Sequence, residues 1–358
     1  VTDWDEVFRR VPRSLFAPPV VWADLGPGPW TRVDRDADPG RWDEVVALDR
    51  PLIVQFEDGR AEGEGLATSS LSMPTMVAEF LRLLDPLPHD RVLEIGTGSG
   101  WTAALLSSLP GVHVTSVEVD PDMAAQAAGR LKTAGFAPRL VVGDGSEGWR
   151  QGAPYDRVHA TCAVSSVPRA WVEQTRPGGV IVAPYAPGFG FGTVLRLDVL
   201  PDGTAVGRFH GSADYMLLRA QRPAGGRPRA WVDAGGDVTV SETRLDPRSI
   251  RYAPVAADLV IAARVPGVVS RFYEDAEPTG EATLWILDAQ GPGGAWASVD
   301  YVPGDEAYRL EQAGDLWDRV EDAYVQWLKW GSPDITRFGL TVTPDAHTVW
   351  LDTPATPV

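Results

Sequence analysis

The sequence predicts an α/β chain: a doubly wound, mostly parallel sheet of Rossmann-like type, followed by a C-terminal α+β domain. Three observations carry that prediction. Strand and helix patterns alternate between residues 91 and 184. The strands there are continuous apolar runs, as strands covered on both faces must be. After residue 190 the pattern changes to alternating strands with a PDG turn, the mark of antiparallel pairing.

Taken in order, residues 3–12 place Val7, Phe8 and Val11 at helical spacing. Residues 17–51 are rich in Pro, Gly, Asp and Trp and read as a long wrapped arm without regular elements. PLIVQFE (51–57) reads as a short strand. Met76, Val77, Phe80, Leu81 and Leu84 form an apolar stripe that predicts a helix over 73–85. Ser72 is its expected N-cap, and Pro74 sits in its first turn, where proline is tolerated. The central strands are expected at 92–95, 112–119, 139–144, 157–162 and 179–184, with helices near 100–109, 121–134 and 167–175. FGTVLRLDVL, AVGRFHG and YMLLRAQ continue as antiparallel strands.

RPAGGRPRA (222–230) reads as a linker. Beyond it, VTVSE, DLVIAARV, TLWILDA, AWASVDY, GLTVTP and TVWLD read as strands around one amphipathic helix at 316–330. The expected division is therefore 1–85, an N-terminal arm and helix; 86–222, the Rossmann-like core; and 231–358, the C-terminal α+β domain.

Composition narrows the function. The formal charge is −17, which works against a phosphate backbone as partner; a nucleic acid is not expected. No apolar run reaches the about 18 residues of a membrane span, and the first residues lack the apolar core of a signal peptide. A single cysteine, Cys162, excludes an intrachain disulfide and a thiolate metal cluster and fits a reducing cytoplasm. The five histidines lack the spacing of a helical metal site, so no metal is expected. Cys162 and His159 read as buried strand residues, and Trp101, Trp171, Trp327 and Trp330 as packing.

The strongest motif is VLEIGTGSGW (92–101): an apolar strand running into glycines, with a helix after them. Gly96, Gly98 and Gly100, with Thr97 and Ser99 between them, let backbone approach a ligand closely. A dinucleotide fingerprint would want a third glycine where Trp101 stands. A sulfonium cofactor has no pyrophosphate to seat, so it makes no such demand. Glu94 suits a cofactor with an amino group and a positive sulfur. Glu118, followed by Val119, ends the next strand, where a carboxylate can accept both ribose hydroxyls. Gly143, Asp144 and Gly145 end the third, where the aspartate can accept from an adenine amine. Together these strand tips predict an S-adenosylmethionine site in a class I methyltransferase fold, with nucleotide-sugar or NAD binding as the alternative, although singly each could be a turn or loop residue.

VLEIGTGSGWTAALL, SVEVDP, VVGDG, YDRVHATCAVSSVPRAW and QTRPGGVIVAPY together resemble the protein-L-isoaspartate O-methyltransferase family over about residues 4–220. Ser70-Leu71-Ser72-Met73-Pro74 is similar to that family's Thr-Ile-Ser-Gln-Pro substrate motif. The resemblance implies Ser72 foremost, with Ser70, as hydroxyls that hold the acceptor carboxylate. Met73 stands where the family has Gln, and Ser69 also replaces a usual Gln. About 130 residues follow the part that resembles a single-domain repair enzyme. The tail looks like an actinobacterial branch whose members methylate an aspartate of a ribosomally made peptide (lanthipeptide, graspetide or lasso peptide), the ester then closing to an aspartimide. That reading makes a macrocyclised precursor peptide the expected partner. The alternatives are an isoaspartyl repair enzyme and a non-catalytic partner in a maturation complex. An aspartate is already ionised near neutral pH, so its methylation needs positioning more than a general base.

Overall fold

The computed structural model describes residues 2–358 apart from 27, 29, 224–227, 235, 236 and 276–278. The N-terminal part runs α1 (Trp4–Arg10), β1 (Val20–Ala23), β2 (Thr31–Asp34), α2 (Pro39–Val46), β3 (Leu52–Phe56), β4 (Ala67–Leu71) and α3 (Pro74–Leu84). The centre runs β5 (Arg91–Ile95), α4 (Trp101–Ser107), β6 (His113–Glu118), α5 (Pro121–Thr133), β7 (Arg139–Val142), β8 (Tyr155–Ala160), α6 (Arg169–Gln174), β9 (Thr175–Tyr185), β10 (Thr193–Val199) and β11 (Ala205–Ser212). The remainder runs α7 (Arg229–Asp233), β12 (Val238–Thr243), α8 (Pro247–Arg251), α9 (Val255–Arg264), β13 (Val268–Glu274), β14 (Ala282–Asp288), β15 (Trp296–Tyr301), β16 (Tyr308–Ala313), α10 (Leu316–Lys329), β17 (Phe338–Val342) and β18 (His347–Leu351).

The main sheet has nine strands in the order β18-β17-β11-β10-β9-β8-β5-β6-β7. The run β9-β8-β5-β6-β7 is parallel, as the continuous apolar strands predict. The chain winds outward from β5 to β7 and then returns to lay β8 beside β5. That reversal is the switch point at which open α/β sheets leave a crevice. One face of the sheet packs on α1, α3 and α4 through Val7, Phe80 and Leu105. On the other face Val158 and Leu195 share a core with Val260, Ile286 and Val320 of the C-terminal part. Among the described residues no helix is long and apolar enough to cross a membrane.

Four local expectations are corrected. The arm at 17–51 holds β1, β2 and α2. β1 pairs with β3, and the small core of Val21, Val33, Trp42 and Leu52 stabilises strands too short to register as a periodic signal. DLVIAARV lies in α9, not in a strand: an apolar run without polar alternation is ambiguous, and here burial on all sides suits a helix. YMLLRAQ forms no strand; it lies along the end of β8, where Leu218 donates to the Ala163 carbonyl. Ser72 does not cap α3, which starts one residue later behind Met73. Asp49, 26 residues upstream, accepts from the Thr75 amide at 2.9 Å and from its hydroxyl at 2.8 Å.

The tail is not a detached unit. Strands β12 to β16 make a separate five-stranded sheet covered by α8 and α10, with α9 packed on α10, but β17 and β18 extend the main sheet through β11. Part of the expected linker at 222–230 lies outside the described residues.

Candidate active site

A cavity of about 520 Å³ opens at the switch point. Its first wall is the turn after β5. Gly96 has φ 90°, and a Cβ there would come within 2.6 Å of the Thr161 hydroxyl, so only glycine lets the turn lie against the end of β8. Thr161 donates to the Gly96 carbonyl at 2.5 Å. The Gly98 amide donates to Glu118 at 2.8 Å, and the other Glu118 oxygen accepts from the Asp120 amide at 3.1 Å. Gly145 packs so closely that a Cβ would meet Ile95 at 2.5 Å. Gly96, Gly98, Glu118, Val119 and Gly145 all face the cavity.

Other residues expected at the cofactor do not face it. Strand alternation turns Glu94 to the side of Val92, under α3 and α4, so the expectation that its carboxylate meets a charged donor is corrected. One Glu94 oxygen accepts from Ser116 at 2.5 Å, and Ser116 in turn meets the Thr97 hydroxyl at 2.6 Å. Burial, aided by nearby Glu118, pushes the Glu94 carboxyl up to about 8, which keeps it protonated near neutral pH. Among the described residues its second oxygen has no partner, and neither has Nδ1 of His159, which lies opposite on β8 and is pushed down to about 4 by burial. Thr97 and Ser99 are buried within the turn. Gly100 opens α4 against Leu131. Gly143 donates to the Glu118 carbonyl. Asp144 is exposed and accepts from the Ser146 amide at 2.8 Å, the turn role that was the plainer reading of it.

The second wall comes from the other side of the chain. Ser70 on β4, opposite Ile53 of β3, and Ser72 both face the cavity, as do Ser69 and Met73. With Asp49 capping α3, the Ser72 hydroxyl is not used as a helix cap; it lines the cavity together with the Tyr215 phenol. Burial pushes that phenol up to about 12, so it stays protonated. Cys162 also faces the cavity, with its thiol raised to about 12 by burial. Sequence reasoning missed Tyr215, Arg219 and Arg222, which line the same space. They stand in the run mistaken for a strand and just after it, and no motif marks them.

A family model for protein-L-isoaspartate(D-aspartate) O-methyltransferase matches residues 41–216. The protein-L-isoaspartate O-methyltransferase of Aeropyrum pernix is 35% identical over 218 residues, covering 60% of this chain and 69% of its own. The chain belongs to the protein-L-isoaspartate O-methyltransferase family. The Methanopyrus kandleri protein of the same name is 42% identical over 153 residues, 42% of this chain and 67% of its own. A solved protein-L-isoaspartate O-methyltransferase structure covers 99% of this chain and 96% of its own, with TM-score 0.53 and 21% identity. That likeness shows the fold, and it spans the C-terminal part.

The family's methyl donor is S-adenosylmethionine, and the first wall fits it. Gly96 and Gly98 leave bare backbone, and the Glu118 carboxylate at the strand tip is an acceptor for hydroxyl groups. The class I methyltransferase fold expected from the sequence is the fold observed.

Proposed function

We propose that this chain methylates the free carboxylate of an L-isoaspartyl residue in a peptide or protein. The observation that carries the reading is one cavity shared by the glycine turn and Glu118 on one wall and the hydroxyls of Ser70 and Ser72 on the other. Bound at the first wall, S-adenosylmethionine supplies an electrophilic methyl group on a positive sulfur. Glu118, Gly96 and Gly98 would hold it, with Val119 and Gly145 along its side. Thr97, Ser99 and Gly100 shape the turn from behind, Glu94 supports it from beneath, and Gly143 and Asp144 close the far strand tip.

At the second wall Ser72, beside Tyr215, and Ser70 hold one oxygen of the acceptor carboxylate and leave the other free to attack. The acceptor is ionised near neutral pH, so no base is required. Tyr215 and Cys162 both keep their protons there, and neither competes as a nucleophile. Catalysis then rests on orientation and on exclusion of water. Incubation of the full chain with S-adenosylmethionine and an isoaspartyl peptide tests this: mass spectrometry should find one added methylene, and an unmodified peptide would refute the reading.

A second reading rests on Met73 and Ser69, which face the cavity where the family usually has Gln. An apolar side chain at 73 suits a dedicated substrate: an aspartate in a macrocyclised, ribosomally made peptide, whose ester closes to an aspartimide. In that case the isoaspartyl peptide stays unmodified, and the genomically neighbouring peptide gains one methylene and then shows a net loss of water. For either substrate we propose residues 1–85 as the acceptor-bearing part, 86–222 as the donor-binding part and 231–358 as a C-terminal unit that narrows access. The single thiol and the peptide acceptor fit a reaction in the cytoplasm.

A further inference from the structure

The two walls of the cavity belong to different pieces of chain. The donor wall is built on the parallel sheet, whereas Ser70 sits on the β3–β4 hairpin of the N-terminal sheet, with Ser72 just beyond it. Catalysis by orientation demands a fixed distance between them. The covalent link through α3 fixes one end of the hairpin only. At the other end lies a polar network that the mechanism above does not use.

Asp58 stands in the turn of the hairpin. Arg222 reaches both its oxygens, at 2.8 and 3.1 Å, and Arg219 reaches one at 3.0 Å. Arg219 also lies 3.6 Å from Asp120, which accepts from the Gln55 side chain of β3 at 2.9 Å. Asp120 caps α5 through the Asp122 and Met123 amides, and its own amide is held by Glu118. Thr68 of β4 completes the circuit, donating to Gln55 at 3.0 Å and accepting from the Asp58 amide at 3.0 Å. The hairpin turn is thus tied, link by link, to the carboxylate at the donor wall.

Two features set this network apart from ordinary surface ion pairs. The paired groups of Asp58, Asp120, Arg219 and Arg222 are only 10–32% exposed, and two arginines converge on the one Asp58 carboxylate, so the pairs are less screened than exposed ones. Glu57 and Asp58 also both adopt left-handed backbone, φ 46° and 53°, which non-glycine residues avoid unless the surroundings impose it. The Asp58 carboxylate that meets the arginines leaves from this left-handed stretch of backbone.

We propose that Asp58, Arg219 and Arg222 are positioning residues: an ion-pair tie that sets the acceptor serines of the hairpin at reacting distance from the donor wall. This inference rests on the carboxyl-methylation reading above. It assigns the arginines no contact with either reactant; they act through the hairpin.

The test uses the full chain with Asp58→Asn, which keeps shape and removes charge, and Asp58→Glu, which restores charge on a longer arm. Four quantities are compared: kcat and peptide KM for methyl transfer to an isoaspartyl peptide, melting temperature, and hydrogen exchange over residues 52–71. For Asp58→Asn, kcat should fall about 10- to 100-fold, the scale of a misplacement near 1 Å. KM and melting temperature should stay near wild type, exchange over 52–71 should quicken, and Asp58→Glu should recover part of kcat. Unchanged kcat, or a fall that tracks lost thermal stability, would overturn the proposal. If the wild-type chain does not methylate the peptide, the substrate reading fails, and exchange alone decides the tie: quickened exchange in Asp58→Asn upholds it, unchanged exchange removes it.

Discussion

The donor wall and the acceptor wall of the cavity are built in opposite ways. The donor wall gathers neighbours: Glu118 ends a strand of one parallel sheet, Gly96, Gly98 and Gly145 follow others, and the sheet brings their tips together. The acceptor wall gathers strangers. Ser70 and Ser72, Tyr215, and the Asp49 that relieves Ser72 of capping α3 come from segments separated by many residues. The difference teaches where robustness lies. A wall made of strand tips needs only the sheet, whereas a wall made of distant loops needs every tie that holds them.

Breaking the donor wall should give the largest effect. Glu118→Ala removes a carboxylate that offers charge-assisted hydrogen bonds worth about 1.5–3 kcal/mol each, and it also frees the Gly98 amide. Calorimetry should show S-adenosylhomocysteine binding weakened by about 100-fold. On the acceptor wall, Ser72→Ala should lower kcat about 10- to 100-fold, the worth of one hydrogen bond to a charged group, with cofactor affinity unchanged; Ser70→Ala should act in the same sense and less. If Ser72→Ala weakened the cofactor instead, the separation of the two walls would be lost.

Glu94 sharpens the comparison from beneath the donor wall. Its carboxyl titrates near 8 when folded but near the ordinary 4.5 when unfolded. Between those values the folded chain holds a proton that the unfolded chain has released, so this group's contribution to stability falls as pH rises through that window and levels off above about 8. Glu94→Gln removes the dependence. Its melting temperature should decline less than wild type between about pH 5 and 8; parallel declines would mean that Glu94 is ionised in the folded chain. The smallest effect is expected of Asp49→Ala, which deletes the cap of α3 at a cost of about 1 kcal/mol. Denaturant unfolding should register that loss, and kcat should fall with it if Ser72 is drawn into capping.

The donor wall was largely legible because strand, glycine turn and acidic tip follow one another in the chain. Even there, Glu94 was misjudged: its spacing from the turn suggests a ligand contact, but strand parity sends its side chain under the helices. Ser70 and Ser72 were found through their resemblance to a family motif. Tyr215, Arg219 and Arg222 were not, because the run that holds them is apolar enough to resemble a strand, and only its contact with the end of β8 gives it another shape. In the tail, α9 was mistaken for a strand for a related reason: burial on every side erases the periodicity that tells the two apart.

What the sequence by itself determined is the parallel sheet, the turn that follows β5 and the charge that disfavours a nucleic-acid partner, since all three follow from local pattern and composition. The tertiary structure decided which carboxylate reaches the cavity, which residue caps α3, and how the hairpin at Asp58 is tied to the arginines. Those outcomes depend on strand parity within a packed sheet and on pairings across up to 164 residues of chain, which neighbouring residues alone cannot specify.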